Sequence, residues 1–559
     1  VKQRPDNVEE GGKGCSEGIV GYYRVAKSRN ANLTLANFLP RKSTPHSTAT
    51  TTSHRLFRNS SYRKQRVKHC SRGRHETMVH VKSFLPDPPE LPPTNIHAFF
   101  IEPRETVDKD YVFLIDGLTG EQWTRSYFKE RVDRARTALD MGVERKGLGL
   151  VQSNMVAILS ENCIEYVTLI HALCSLAVPF APCSAYATPY ELAHSLRLSG
   201  ASHLFVHSDK LKIGLQAAKE VGIPASKVYV LQGKAPQGFI TLQQLIKRVE
   251  LEKIPIVPIK PVTANQLAFV LFSSGTTGLP KERCMDGNDN GIRFSPPEGH
   301  NPVLMGYLPI YHTFGLHTIC LRSLLAPATI VIIPRWNTDL VLDLIPKYRV
   351  TTLPSVPSII HQLASSPKLA KTDMSSVLAV TSGAAYLPLP LADKIQGKVG
   401  TKSPVLTGYG LSEVGQLGGK WTRVPDSTGA LIPGMEARTV REDGTEADYN
   451  ESGELWLKGK NVAMGYYRNP KATAETTSAW GSSASVSNSR SPISQEVSSS
   501  DDLRWRDVMN ANSKRLSKRI HRESRISVAS TSSNFFGGGG DIPSPIDIPP
   551  MPTPITPMT

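Results

Sequence analysis

Little in the 559-residue sequence points outward at first sight. Its seven cysteines are odd in number and include no Cys-x-x-Cys pair, which argues against a disulfide framework and against the common zinc-binding spacings. Cys163, Cys174 and Cys183 sit in apolar or Pro/Ala-rich surroundings and read as small core residues of a reduced, intracellular protein. No apolar run reaches the ~18–20 residues of a membrane-spanning helix. Aromatic residues make up only 7% of the chain and hydrophobic ones 39%. Both fall below what a wholly packed chain carries, so part of the length is expected to lie outside any core. The central part also lacks an excess of charge. Of the net +16, residues 1–77 hold +11 and residues 479–559 hold +2, leaving +3 for everything between. A nucleic-acid-binding fold normally shows a basic face on its body, and a body this near neutrality argues against one.

What is present begins after a basic segment, residues 1–77, that has no hydrophobic periodicity and is expected to be disordered. Tyr111–Ile115 then reads as a strand, with Asp116-Gly117 and Thr119-Gly120 as turn signals for a hairpin. Thr124 is placed to cap a helix whose apolar positions Phe128, Val132, Ala135 and Leu139 recur every three or four residues. Met155–Leu159 reads as a buried strand and Glu161–Ala177 as an apolar helix. Strand-like runs follow at His203–His207, Val228–Leu231, Gln266–Phe272, Ala328–Ile333, Thr351–Leu353 and Val377–Thr381, with helical patterns or turns between them. Strands alternating with helices imply an α/β fold of mostly parallel sheets sandwiched by helices. The alternating Gly453–Gly459 stretch, GELWLKG, adds a smaller antiparallel, β-rich piece. From Ser478 the text becomes Ser-rich, then basic, then Gly- and Pro-rich, and is expected to be a disordered tail. The domain division read from this is 1–77, 78–477 and 478–559.

Four stretches carry chemistry. Leu271–Lys281 reads LFSSGTTGLPK and follows an apolar strand. Its hydroxyls Ser273, Ser274, Thr276 and Thr277 are donors, Gly275 and Gly278 let backbone N–H groups approach an anion, and Lys281 adds a mobile positive charge. That is a phosphate cradle, though not a Walker A loop, because no Gly-Lys-Ser/Thr closes it. A bare Ser-Gly-Thr is more often a solvated turn; eight constrained positions in a row are not. Leu308–Leu316, LPIYHTFGL, holds His312 between aromatics, where a satisfied structural histidine is the plainer reading of the residue alone. Thr381–Leu387, TSGAAYL, puts the small Gly383, Ala384 and Ala385 at the carboxyl end of a strand, which leaves room for a flat ring. Thr407–Glu413, TGYGLSE, offers an aromatic face at Tyr409 between Gly408 and Gly410, a hydroxyl at Ser412 and a hard oxygen ligand at Glu413.

Together with GELWLKG and Met464-Gly-Tyr-Tyr467, these stretches appear in the order found in the adenylate-forming superfamily, which the chain resembles over about residues 100–477. That family includes acyl-CoA synthetases, 4-coumarate–CoA ligases, luciferases and peptide-synthetase adenylation domains. The resemblance implies an ATP-dependent carboxylic acid–CoA ligase. Carboxylate and ATP would give an acyl-adenylate and pyrophosphate, and coenzyme A would then take the acyl group. It implies phosphate binding by Ser273–Gly278 and Lys281, a role for His312 beside the substrate carboxylate, and adenine against Gly383–Ala385. Ser412 would lie by the α-phosphate, and Mg²⁺ on Glu413. The acid, aryl or fatty, is left open. A cytoplasmic location is expected, since the peroxisomal tripeptide of some members does not end this sequence.

The sequence departs from the family's pattern in two places. After Lys281 the family continues with glycine and a helix, where this chain reads ERCMDGNDNGIRFSPPEGHN. Beyond Glu475 the family's ribose-binding aspartate and its small C-terminal domain with a catalytic lysine are replaced by the low-complexity tail. Both switches are abrupt, as a shifted frame or retained intron would make them. The competing expectation is therefore a catalytically impaired nucleotide- and acyl-binding remnant. Tyr386, where proline is usual, and Ser412, where threonine is usual, are smaller differences.

Overall fold

A computed structural model of the chain describes residues 80–87, 94–101, 110–263, 266–272, 280–282, 301–399, 405–412, 414–419, 429–448, 451–476 and 484–486. All of them belong to one unit of the chain, residues 1–489.

The expected hairpin forms from Val112–Asp116 and Gln122–Thr124. Asp116 closes its turn by accepting the Leu118 and Thr119 N–H groups, each at 2.8 Å, and Gly120 supplies the positive φ of +81°. Thr124 caps the helix Arg125–Asp140, its hydroxyl accepting the Tyr127 N–H at 3.2 Å. Phe128, Val132, Ala135 and Leu139, the positions singled out by their spacing, are all fully buried on this helix.

Among the described residues the strands assemble into three sheets. The nine-stranded sheet runs Ala430–Leu431, Gly415–Gly419, Leu406–Leu411, Ala379–Ser382, Thr352–Ser355, Val303–Gly306, Thr329–Ile332, Val112–Asp116 and Gln122–Thr124. Its six strands from Leu406–Leu411 to Val112–Asp116 are parallel, and the edges are antiparallel. The seven-stranded sheet runs Gly465–Tyr466, Pro280–Glu282, Phe269–Val270, Phe180–Cys183, Val156–Leu159, His203–Val206 and Val228–Val230, parallel from Phe269–Val270 onward. Helix Ile164–Ser175 is buried at every residue but Glu165, because it lies in the largest core with side chains from both sheets around it. An all-round apolar helix has no other stable place in a globular chain.

The expected β-rich piece is an antiparallel four-stranded sheet of His80–Lys82, Glu436–Val440, Glu454–Lys458 and Ala484–Val486. One expectation is corrected here. Ala484–Val486 falls in the stretch read as unstructured, yet it pairs with Leu455–Leu457. Three residues suffice for an edge strand, too few to register as a hydrophobic pattern. The helix expected from Glu161 starts at Ile164, which leaves Ser160–Cys163 as a loop. Residues 1–77 lie outside the described residues.

The core also holds histidines kept neutral. His171 Nε2 donates to the Cys320 carbonyl at 2.7 Å, so its Nδ1 accepts from His97 Nδ1 at 3.2 Å. Burial pulls the pKa of His171 down to about 4, and that of His317 likewise. The unfolded chain protonates these rings near pH 6.5, before the folded one does. Stability is therefore full above pH 6.5 and is lost as pH falls from there toward 4, by about 3 kcal/mol for His171 alone. Urea midpoints measured between pH 7.5 and 4.5 are expected to fall steeply below 6.5; a flat profile would show that the rings are not buried neutral. Separately, Thr124→Ala is expected to lower the unfolding free energy by ~1 kcal/mol by removing the cap.

Candidate active site

The parallel register brings three of the singled-out stretches to one end of the nine-stranded sheet. Val303–Gly306, Thr352–Ser355, Ala379–Ser382 and Leu406–Leu411 are consecutive neighbours, so their carboxyl ends lie side by side. An open α/β sheet binds its ligands at such an edge.

His312 follows the first of these strands. It stands at the start of a short helical turn, Thr313–Gly315, that runs into a π-helical segment, Leu316–Leu321. Its own N–H bonds the Pro309 carbonyl at 3.1 Å, and its Nδ1 accepts the Phe314 N–H at 3.3 Å. With Nδ1 occupied as an acceptor, the neutral ring carries its proton on Nε2. His312 is exposed, yet the surrounding protein removes enough water to lower its pKa. At neutral pH it is an uncharged donor. Gly315 is glycine because the chain doubles back: a side chain there would collide with the Pro309 carbonyl.

Gly383 follows Ala379–Ser382, donates its N–H to the Ser355 carbonyl at 3.1 Å and is buried. A methyl group on it would lie 3.3 Å from the Phe314 ring and 3.7 Å from the Gly408 carbonyl. These contacts join the histidine stretch, the Gly-Ala-Ala stretch and the Gly-Tyr-Gly stretch at one point. Ala384 and Ala385 are exposed, and Ala384 sits at φ +66°, a conformation that costs a side-chain-bearing residue ~1–2 kcal/mol. Strain of this kind gathers at ligand sites. The hydroxyl of Ser382, next to Gly383, is buried with no partner among the described residues.

Gly408, Tyr409 and Gly410 lie within the strand Leu406–Leu411. Thr407 still pairs in parallel with Ser382. From Gly408 the strand outruns its neighbour and pairs antiparallel with Gly415–Gly419, through an irregularity between Tyr409 and Gly410. Tyr409 is half-buried and packs against the small core of Val414, Leu431 and Met435, so only part of its ring surface remains for a ligand. Ser412 is half-buried just past the strand. Glu413 and Ser273–Gly278 lie outside the described residues. The flanks of the latter are placed: Phe269–Val270 pairs antiparallel with Pro280–Glu282, and the Lys281 backbone is in register with Val270 on one side and Gly465 on the other.

Sequence reasoning passed over Asn162, Phe314, Tyr307 and Ser355. Tyr307 and Ser355 share a buried hydroxyl–hydroxyl bond of 2.9 Å beneath Gly383. Asn162 bonds the backbone leading to His312. The one available signal was a polar Ser-Glu-Asn between a buried strand and an apolar helix.

The profile of the family described as AMP-binding enzyme matches residues 102–467. The acyl-CoA ligase AKT1 of Alternaria alternata is 28% identical over 415 residues, 70% of this chain and 72% of that protein. The 4-coumarate–CoA ligase 5 of Oryza sativa subsp. japonica is 30% identical over 420 residues, 71% and 73% respectively. Among solved structures, ATP-bound MatB from Rhodopseudomonas palustris is similar with a TM-score of 0.59 at 24% identity, over 70% of this chain and 75% of that one. The luciferase-like enzyme from the mealworm Zophobas morio reaches 0.60 at 22%, over 71% and 93%. At these identities the two structures show the fold.

Ala384→Gly is expected to raise the unfolding free energy by ~1 kcal/mol by releasing the left-handed strain, and Ala384→Val to lower it by a similar amount. Denaturant unfolding of the two variants checks the pair; equal midpoints would show an unstrained backbone.

Proposed function

This chain belongs to the AMP-binding enzyme family, and from that premise we propose that it is an ATP-dependent carboxylic acid–CoA ligase of the acyl- and 4-coumarate-type. The observation that carries this reading is the meeting of Phe314, Gly383 and Gly408 at the carboxyl ends of adjacent parallel strands. The exposed Ala384 and Ala385, next to the buried Gly383, suit the adenine of ATP. His312, neutral and with Nε2–H available, would donate to the carboxylate or phosphate oxygen as negative charge shifts between them, without itself changing protonation. Ser273–Gly278 and Lys281 would hold the phosphates, with Ser412 near the α-phosphate.

Mg²⁺ fits this set in one way. Among the described residues no three acidic, histidine or cysteine side chains gather as a metal cluster. The Glu413 carboxylate would hold the cation together with the substrate phosphates, as is common for Mg²⁺. There it would neutralise charge on the phosphates. Coenzyme A would be the thiol acceptor. Among the described residues no helix is long and apolar enough to cross a membrane, and the buried free cysteines Cys163, Cys174, Cys183 and Cys320 suit the cytoplasm.

A nucleotide- and acyl-binding protein with little turnover is the second reading. It is favoured by the stretch from Glu475 to Thr559, which has no counterpart of the family's catalytic lysine or ribose-binding aspartate. Acid-dependent ATP–pyrophosphate exchange, with aryl, medium-chain and long-chain acids, separates the two. The expected rate is ~10²–10³ below that of a ligase carrying the lysine, the loss of one preorganised cation. His312→Ala is expected to lower it a further ~10²-fold, the loss of one stabilising hydrogen-bond donor. Exchange within tenfold of such a ligase would show that the tail or another chain supplies the missing groups, and no exchange with any acid would leave only the second reading.

A further inference from the structure

The loop Ser160–Cys163 leaves the seven-stranded sheet after Val156–Leu159, but its one buried amide serves the other sheet. Asn162 is 3% exposed. Its Nδ2 donates to the Leu308 carbonyl at 2.8 Å and to the Gly306 carbonyl at 3.3 Å, and its Oδ1 accepts the Ile310 N–H at 2.9 Å. Its own backbone N–H donates to the Pro334 carbonyl at 3.2 Å. These partners lie at the carboxyl ends of Val303–Gly306 and Thr329–Ile332. The side-chain bonds bracket Pro309, whose carbonyl in turn accepts the His312 N–H.

We propose that Asn162 is a positioning residue for the adenylation step: its carboxamide clamps the backbone on both sides of Pro309 and thereby sets where the His312 imidazole stands. The inference rests on the role read above for His312. Only asparagine fits the demand. Two donors and an acceptor must come from one short side chain; aspartate keeps the acceptor and loses both donors, and leucine loses all three. Without the amide, the Leu308 carbonyl and the Ile310 N–H are left unpaired in a dry site, and such groups pull the backbone toward other partners. Only Tyr311 then separates a displaced Ile310 from His312.

The test compares the wild-type chain with Asn162→Ala, Asn162→Asp, His312→Ala and the Asn162→Ala/His312→Ala double variant in acid-dependent pyrophosphate exchange, with folding followed by thermal melts. Misplacing a reacting group by an ångström costs ~10²-fold, so each Asn162 variant is expected to lose about that factor in maximal rate with the KM for ATP unchanged. The double variant is expected to be no slower than His312→Ala, because the amide acts only through the ring. Independent, multiplying losses, or a raised KM with an unchanged maximal rate, would overturn the proposal and leave Asn162 a structural brace. If His312→Ala alone exchanges at the wild-type rate, the reading of His312 has failed, and the clamp with it. Should Asn162→Ala not fold, Asn162→Asp, which keeps volume and the Ile310 bond, carries the comparison.

Discussion

The candidate site depends first on the parallel hydrogen-bond register of four neighbouring strands. Thr352 pairs with both Leu304 and Ala379, and Thr381 pairs with Leu406. Parallel pairing makes neighbouring strands end together, so the segments that follow them emerge at one edge although they are scattered along more than a hundred residues. Parallel sheets must be covered on both faces, and the cores around helices Arg125–Asp140, Ile164–Ser175, Thr338–Tyr348 and Pro357–Ser365 provide that cover. The site is thus a consequence of how the sheet is buried.

The second constraint is polar satisfaction at the junction of the two large sheets. Segments there are tied by polar groups of other elements. Asn162 ties the segment before His312, the Ser355 carbonyl ties Gly383, and the Tyr307 hydroxyl ties Ser355. A buried hydrogen bond adds only ~1 kcal/mol to stability, but breaking one leaves a group whose desolvation is uncompensated. Such bonds therefore act less as glue than as a restriction on where a loop can sit, which is what a reacting group requires.

The ends of the described chain are drawn together by β-pairing. His80–Lys82, far from it in sequence, lies beside Glu436–Val440. Gly465–Tyr466 returns to the seven-stranded sheet next to Pro280–Glu282, and Arg468 lies against Gly200 at the end of helix Pro189–Ser199. Lys281 is consequently held in the middle of a three-strand ribbon whose outer strand comes from nearly two hundred residues later.

Local chemistry made much of this legible in advance. The Thr124 cap, the Asp116–Gly120 turn, the buried face of Phe128, Val132, Ala135 and Leu139, and the strand–helix alternation all follow from interactions within a few residues. Motif order alone sufficed to select the family's α/β architecture. Two- and three-residue strands such as Phe269–Val270 and Ala484–Val486 were not legible at their true lengths, because so short a strand exists only through its partner. The sequence could say that Tyr409 is aromatic and lies between glycines. It could not say that the ring would pack on Val414, Leu431 and Met435, since that core is assembled from strands paired antiparallel at long range. It marked His312 and passed over Asn162, because one side chain's chemistry can be read from its neighbours while a clamp is defined by a partner some 146 residues away. Residue types and local order determined which chemistry is present. The register of the parallel strands and the burial of polar groups between the sheets decided where its parts meet.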